Sequence, residues 1–80
     1  MDRARIEKDV CEIIGTVLQE GGPVPAGLHR RSAAKWDSLK HVEIVFGLED
    51  HFQVRFSEED LEAMEDVGGI VSRLEHLLGS

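Results

Sequence analysis

Asp37-Ser38-Leu39-Lys40-His41-Val42-Glu43-Ile44-Val45-Phe46-Gly47-Leu48-Glu49-Asp50-His51-Phe52 is the stretch on which the fold turns. It follows a polar connection, Gly21 to Lys35, and its apolar residues return at helical steps, so a helix is predicted from Ser38 to Phe52. Asp37 is a suitable N-cap, its carboxylate accepting from the orphan N–H groups of the first turn. That leaves Ser38 as the first helical residue, its hydroxyl pointing outward. A phosphate ester there would sit in the favourable field of a helix N-terminus, although a cap at a helix start ordinarily implies nothing more. The apolar set is too large for one narrow stripe. Ile44, Val45, Leu48 and Phe52 share an inward face, while Leu39, Val42 and Phe46 form a second line among Glu43, Glu49 and Asp50. That second line fits either a docking face or a helix buried on two sides.

Upstream, Ile6, Val10, Ile13, Ile14, Val17 and Leu18 keep the same period and define a first helix, with Gly21 placed to end it. Gly15 inside that helix costs about 1 kcal/mol against Ala and marks a close approach of another element; Gly47 suggests the same for the second helix. The connection Gly21 to Lys35 is expected to turn Leu28, Ala33 and Ala34 inward, and the periodicity leaves Trp36 undecided between core and surface. Its basic residues, His29, Arg30, Arg31 and Lys35, read as a solvated loop offsetting nearby acids. Downstream, Gln53 to Phe56 is too short to be a partnerless strand and reads as a loop. Ser57 caps a short helix that begins with three acids and ends near Met64, Phe56 stapling onto Leu61. Asp66 caps a last helix carrying Val67, Ile70, Val71, Leu74, Leu77 and Leu78 and closing at Gly79, with Gly68 and Gly69 predicting a frayed start. The expected fold is all-α: a small four-helix bundle of three longer helices and one short one, with a long first loop, forming one domain over residues 1–80.

Nine Lys and Arg against sixteen Asp and Glu give a net charge of −7. That balance argues against nucleic acid and anionic membranes as partners and favours proteins with basic patches. A single cysteine, Cys11, excludes an internal disulfide and points to a reducing cytoplasm. No apolar run reaches the length of a membrane span, and the charged residues from Met1 to Asp9 are unlike a signal peptide. His29, His41, His51 and His76 lack paired metal-ligand spacing and read as surface groups titrating near neutral pH.

These residues resemble the acyl carrier protein family along nearly the whole chain. The resemblance is carried by Ile13-Ile14-Gly15, Asp37-Ser38-Leu39, Val42-Glu43-Ile44-Val45, Leu48-Glu49-Asp50-His51-Phe52, Phe56-Ser57-Glu58-Glu59-Asp60 and Val67. It implies that Ser38, flanked by Asp37 and Leu39, is esterified with 4'-phosphopantetheine from coenzyme A by a separate, magnesium-dependent phosphopantetheinyl transferase. It further implies that the arm's thiol carries acyl groups as thioesters, and that the second helix is the recognition face. On this sequence that face comprises Leu39, Val42, Glu43, Phe46, Glu49 and Asp50, with Phe56 beside it. The partners implied are acyl or aminoacyl ligases, acyltransferases and synthases with basic docking patches, met by a monomeric carrier. Met1 and the lack of a linker at either end read as a free-standing chain.

Lys35-Trp36 replaces the family's common Gly-Ala, and Lys40 and His41 stand where acidic or small residues often follow the serine. These departures point to a specialised fatty acid, polyketide or secondary-metabolite pathway. Aminoacyl, peptidyl and D-alanyl carriers, and an unmodified helical adaptor, remain open. An enzyme built on Asp37, Ser38 and His41 is disfavoured, because one exposed helix end supplies neither an oxyanion hole nor a water-excluding pocket.

Overall fold

A computed structural model describes residues 2–79. Its helices are α1 (Arg3–Val17), α2 (Ser38–Phe52), α3 (Glu58–Glu62) and α4 (Val67–Leu77), with a single 3-10 turn at Arg30–Ser32 in the long connection. Every α-helix begins at a polar cap. Asp2 accepts from the Arg5 N–H, Asp37 from Lys40, Ser57 from Asp60 and Asp66 from Gly69, each satisfying a donor that the first turn leaves orphaned.

The apolar faces of these helices close one core, built from Ile6, Val10, Ile14 and Leu18 of the α1 segment, Ile44, Leu48 and Phe52 of α2, and Val67, Ile70, Val71 and Leu74 of α4. Met64, Val24 and Trp36 complete it from the connections. The head of α1 is tied to the last turns of α4 by Arg3, which donates to Glu75 and Ser72. Asp9 of α1 lies 3.2 Å from the Nε2 of His51 near the end of α2.

The close approach expected at Gly15 is present, since a Cβ there would lie 2.0 Å from the carbonyl oxygen of Gly22. At Gly47 the neighbour is only the Ile13 Cγ2 at 3.4 Å, an ordinary contact. Gly21 does not end α1. The helix stops at Val17 and the chain reverses through Gln19, which takes a left-handed φ of 58°. The early stop follows from the fold-back, for the Glu20 N–H returns to the Gly15 carbonyl and that of Val24 to Cys11. The glycines of α4 do not unwind its start either: Asp66 caps Gly69, and a Cβ on Gly69 would come within 2.2 Å of the Ala63 carbonyl oxygen.

The long connection is fastened rather than loose. Leu28 and Ala33 pack against the core as expected, whereas Ala34 is exposed, because the turn closed by the Trp36 N–H on the Ala33 carbonyl puts Ala34 and Lys35 on its outside. His29 forms an antiparallel bridge with Asp66 through two backbone hydrogen bonds, Arg30 N–H to Glu65 and Val67 N–H to Leu28. The loop before α2 is thereby tied to the loop before α4. Residues 54–57 belong to no helix or strand, in keeping with the expected loop.

Candidate functional site

The site is built outward from Ser38, the first residue of α2. Asp37 holds extended backbone and its Oδ1 accepts from the Lys40 N–H at 2.9 Å, so the N-cap is filled by a neighbouring side chain and the serine stays free. Ser38 is exposed, and it lines none of the three best-formed depressions. Trp36 is core, with 3% of its surface exposed. Its indole Nε1–H donates to the Nδ1 of His41 at 2.9 Å, and the two rings stack with centroids 6.0 Å apart. His41 is therefore not the surface group expected from sequence. It is partly buried, and burial together with the nearby Arg30 guanidinium pushes its pKa below the ordinary histidine value, Glu65 opposing. The same bond occupies the Nδ1 that an Asp37–Ser38–His41 catalytic arrangement would call on.

Along α2 the two apolar lines separate as the sequence suggests. Ile44, Leu48 and Phe52 are buried and Val45 is half-buried, while Leu39, Val42 and Phe46 are 70%, 46% and 65% exposed. Of the two readings of the second line, an uncovered face is the one found. Its acids are not equally free. Glu43 receives the Lys40 ammonium at 3.4 Å, Asp50 is exposed, and one carboxylate oxygen of Glu49 accepts the Phe56 N–H at 2.9 Å, which fixes the turn after α2. Phe56 is half-buried against the core. An open depression of about 540 Å³ beside Phe46 is lined also by Glu49, Asp50, Gln53, Val54 and Arg55. Arg55 there was not foreseen; its sequence signal is only its place one residue before Phe56.

Cys11 is buried in the core, and burial and Glu7 raise its thiol pKa. Among the described residues no cluster of three His, Cys, Asp or Glu side chains could hold a metal ion, and no helix is long and apolar enough to cross a membrane.

No protein-family model matches the chain. It is 38% identical over 73 residues to a protein of Cuphea lanceolata named acyl carrier protein 3, chloroplastic. In sequence the chain is thus similar to an acyl carrier protein. That alignment covers 89% of this chain and 50% of the relative, so the chain spans about half the relative's length. The fold is also that of a solution structure of holo acyl carrier protein from Geobacter metallireducens, with a TM-score of 0.79 over 91% of this chain and 85% of that one. At 20% identity, that likeness bears on the fold alone.

Proposed function

We propose that the chain is an acyl carrier protein whose Ser38 hydroxyl is esterified with 4'-phosphopantetheine, and that it presents its load to enzymes docking on α2. The observation that carries this reading is the position of Ser38. It is exposed, it opens a capped helix, and the bare apolar row Leu39, Val42 and Phe46 descends from it. The residues fit the group: the cap comes from Asp37 and not from the serine, and α2 directs the positive end of its dipole toward a phosphodiester at Ser38.

The hydroxyl attacks the phosphorus of coenzyme A that bears the pantetheine, forming the Ser38 Oγ–P bond as the pyrophosphate bond breaks and adenosine bisphosphate leaves. No base of this chain is placed on Ser38: among the described residues its hydroxyl has no side-chain partner, and His41 is held by Trp36. A serine hydroxyl without a base is a weak nucleophile, so the transferase supplies base and magnesium, and the carrier is a substrate there rather than a catalyst. When attached, the arm supplies a terminal thiol that holds an acyl group as a thioester. The core thiol of Cys11, buried and raised in pKa, does not compete with it.

Leu39, Val42 and Phe46 give a partner its apolar contact, and Glu43 and Asp50 give it charge. The net charge of −7 suits enzymes with basic docking patches. Exposed charge pairs are individually weak and screened by salt, which suits a carrier that must release each enzyme in turn. Trp36, Lys40 and His41 support service in a specialised acyl pathway.

Intact-protein mass spectrometry after incubation with coenzyme A, magnesium and a broad-specificity phosphopantetheinyl transferase tests the assignment. One phosphopantetheine is expected on the wild type and none on Ser38→Ala. Equal gain on both proteins would refute Ser38 as the attachment point, and none with several transferases would refute the carrier reading and favour an adaptor. Loading by amino acids alone from an acyl, malonyl and aminoacyl panel would refute the acyl load.

A further inference from the structure

The backbone that presents Ser38 is bracketed by one side-chain pair. Trp36 lies two residues before the serine and His41 three residues after it, and the indole N–H to imidazole Nδ1 bond closes a loop around Asp37-Ser38-Leu39-Lys40. Trp36 is anchored independently, its ring in the core and its backbone N–H on the Ala33 carbonyl at 2.9 Å. His41 is anchored by its own N–H to the Asp37 carbonyl at 2.9 Å. The pair therefore fastens the first turn of α2 to the core from outside the helix. Without it, that turn holds only by the Asp37 cap and its backbone bonds.

The bond fixes the imidazole's chemistry. An indole nitrogen donates and never accepts, so the Nδ1 of His41 must carry its lone pair and the proton must sit on Nε2. A protonated imidazole has two donors and no acceptor. Donor would then face donor at 2.9 Å, and the only polar side-chain atom of a buried tryptophan would lose its partner. At present no buried side-chain polar atom among the described residues lacks one.

We propose that His41 is a positioning residue for arm attachment: with Trp36 it forms a latch, closed while the imidazole is neutral and open when it is protonated, that holds the Ser38 end of α2 in the form a transferase binds. This rests on the carrier reading given above. The charged groups that act on His41 from neighbouring elements are Arg30 of the 3-10 turn, which favours the neutral form, and Glu65 of the loop before α4, which opposes it, and these lie 4.0 Å from each other. On its own helix Lys40 is paired with Glu43. Burial is the largest influence, and it favours the neutral form. The latch is thus closed at neutral pH and opens on acidification below the ordinary histidine range.

Loss of one buried hydrogen bond shifts the closed-to-open ratio by roughly tenfold. A transferase that binds only the closed form then sees its KM for the carrier rise by up to that factor, while kcat at saturating carrier holds.

Trp36 is the chain's single tryptophan, so its emission reports the latch without a label. Fluorescence of the wild type and His41→Gln should be titrated from pH 8 to pH 5, and KM and kcat for phosphopantetheine transfer measured over the same range for these two and for Trp36→Phe. Glutamine keeps an acceptor but does not titrate. The wild-type emission should change with a midpoint below 6.5 and that of His41→Gln should not. The ratio of wild-type to His41→Gln KM should rise severalfold across the same midpoint, with kcat unchanged, the comparison at each pH cancelling the transferase's own titration. Trp36→Phe, which lacks the indole donor, should show a pH profile parallel to that of His41→Gln. A KM ratio that stays flat, or a transition equally present in His41→Gln, would overturn the latch while leaving the carrier reading intact. Absence of transfer to every variant at pH 8 would overturn the carrier reading, and this inference with it.

Discussion

Replacing Asp60 by alanine should cost this small domain about 2–3 kcal/mol, and the loss should fade in acid. Asp60 is 3% exposed, and its carboxylate makes two sets of bonds. Its Oδ2 accepts the Ser57 N–H at 2.9 Å, while the Ser57 hydroxyl accepts the Asp60 N–H at 3.1 Å, a closed capping box on α3. Its Oδ1 accepts the Nε–H of Arg73 at 2.6 Å, with the Nη2 also in contact, and so joins α3 to α4. A five-residue helix has almost no stability of its own, and these bonds are what hold it. Losing the reciprocal cap costs about 1 kcal/mol, and losing a charge-assisted bond costs about 1.5–3 kcal/mol. Arg73 retains some access to water, which favours the lower part of that range, and alanine's helix propensity returns about 0.5 kcal/mol. Against a total stability of about 4–12 kcal/mol for this length, the melting temperature should fall by about 10–20 °C. The Ser57 backbone N–H, opposed by burial and aided by Arg73, holds the Asp60 pKa below its ordinary value. A depressed carboxyl pKa contributes stability that is complete above the unfolded value near 3.8 and is lost as pH falls through the folded one. Urea melts of wild type, Asp60→Ala, Arg73→Ala and the double variant at pH 7, 4 and 3 measure both effects. A deficit under about 1 kcal/mol at pH 7, or one unchanged at pH 3, would refute the reasoning.

Gly15→Ala should destabilise by about 1–3 kcal/mol, because the added methyl meets backbone and not a movable side chain. Gly47→Ala, with only the Ile13 Cγ2 at 3.4 Å, should stabilise by about 0.5–1 kcal/mol; thermal melts of the two variants should shift in opposite directions. Phe46→Ala should change stability by less than about 0.5 kcal/mol, since the ring is 65% exposed, yet raise the KM of a docking enzyme by about tenfold. Cys11, buried with a raised pKa, should resist a thiol reagent at pH 7.5 until urea unfolds the chain, so that quantitative labelling finds no fast thiol before arm attachment and one after it.

Helical periodicity makes the four helices and most of the core legible, because a period of 3.6 reports a face without reference to what lies against it. Ile6, Val10, Ile14, Ile44, Leu48, Ile70 and Leu74 all lie where that period places them. Features that depend on two distant segments were not legible. Val24 is buried because α1 ends early and folds back, and nothing in Pro23-Val24-Pro25 announces the bond from its N–H to Cys11. The burial of Trp36 depends on an acceptor five residues away, inside a helix whose starting angle the Asp37 cap sets. Glu49 looks like another surface acid in an acidic helix, and its bond to Phe56 emerges only once α2 ends in the left-handed Gln53 and turns the chain back. At the site itself, Ser38, its cap and the exposed row were readable, while the Trp36–His41 bond was not.

The second apolar line of α2 shows why recognition and folding are separable here. At about 100° per residue, Phe46 stands roughly 160° around the helix from Ile44 and Leu48, so one helix has two opposed apolar faces. Covering both would take an element on each side, and among the described residues α1, α4, Trp36 and the Met64 turn all close on the same core. An uncovered apolar row ordinarily invites self-association, but repulsion from a net charge of −7 opposes that for copies of this chain and not for a basic partner. On the carrier reading proposed above, the row would also keep partners close to the chemistry. At about 1.5 Å per residue, Phe46 lies roughly 12 Å along the axis from Ser38, so an enzyme gripping Phe46 and Val42 has Ser38 at the edge of the surface it covers. Substitutions on this exposed row should therefore alter docking at little cost in stability, whereas a change to the Trp36–His41 bond, which ties the head of the row to the core, should affect both.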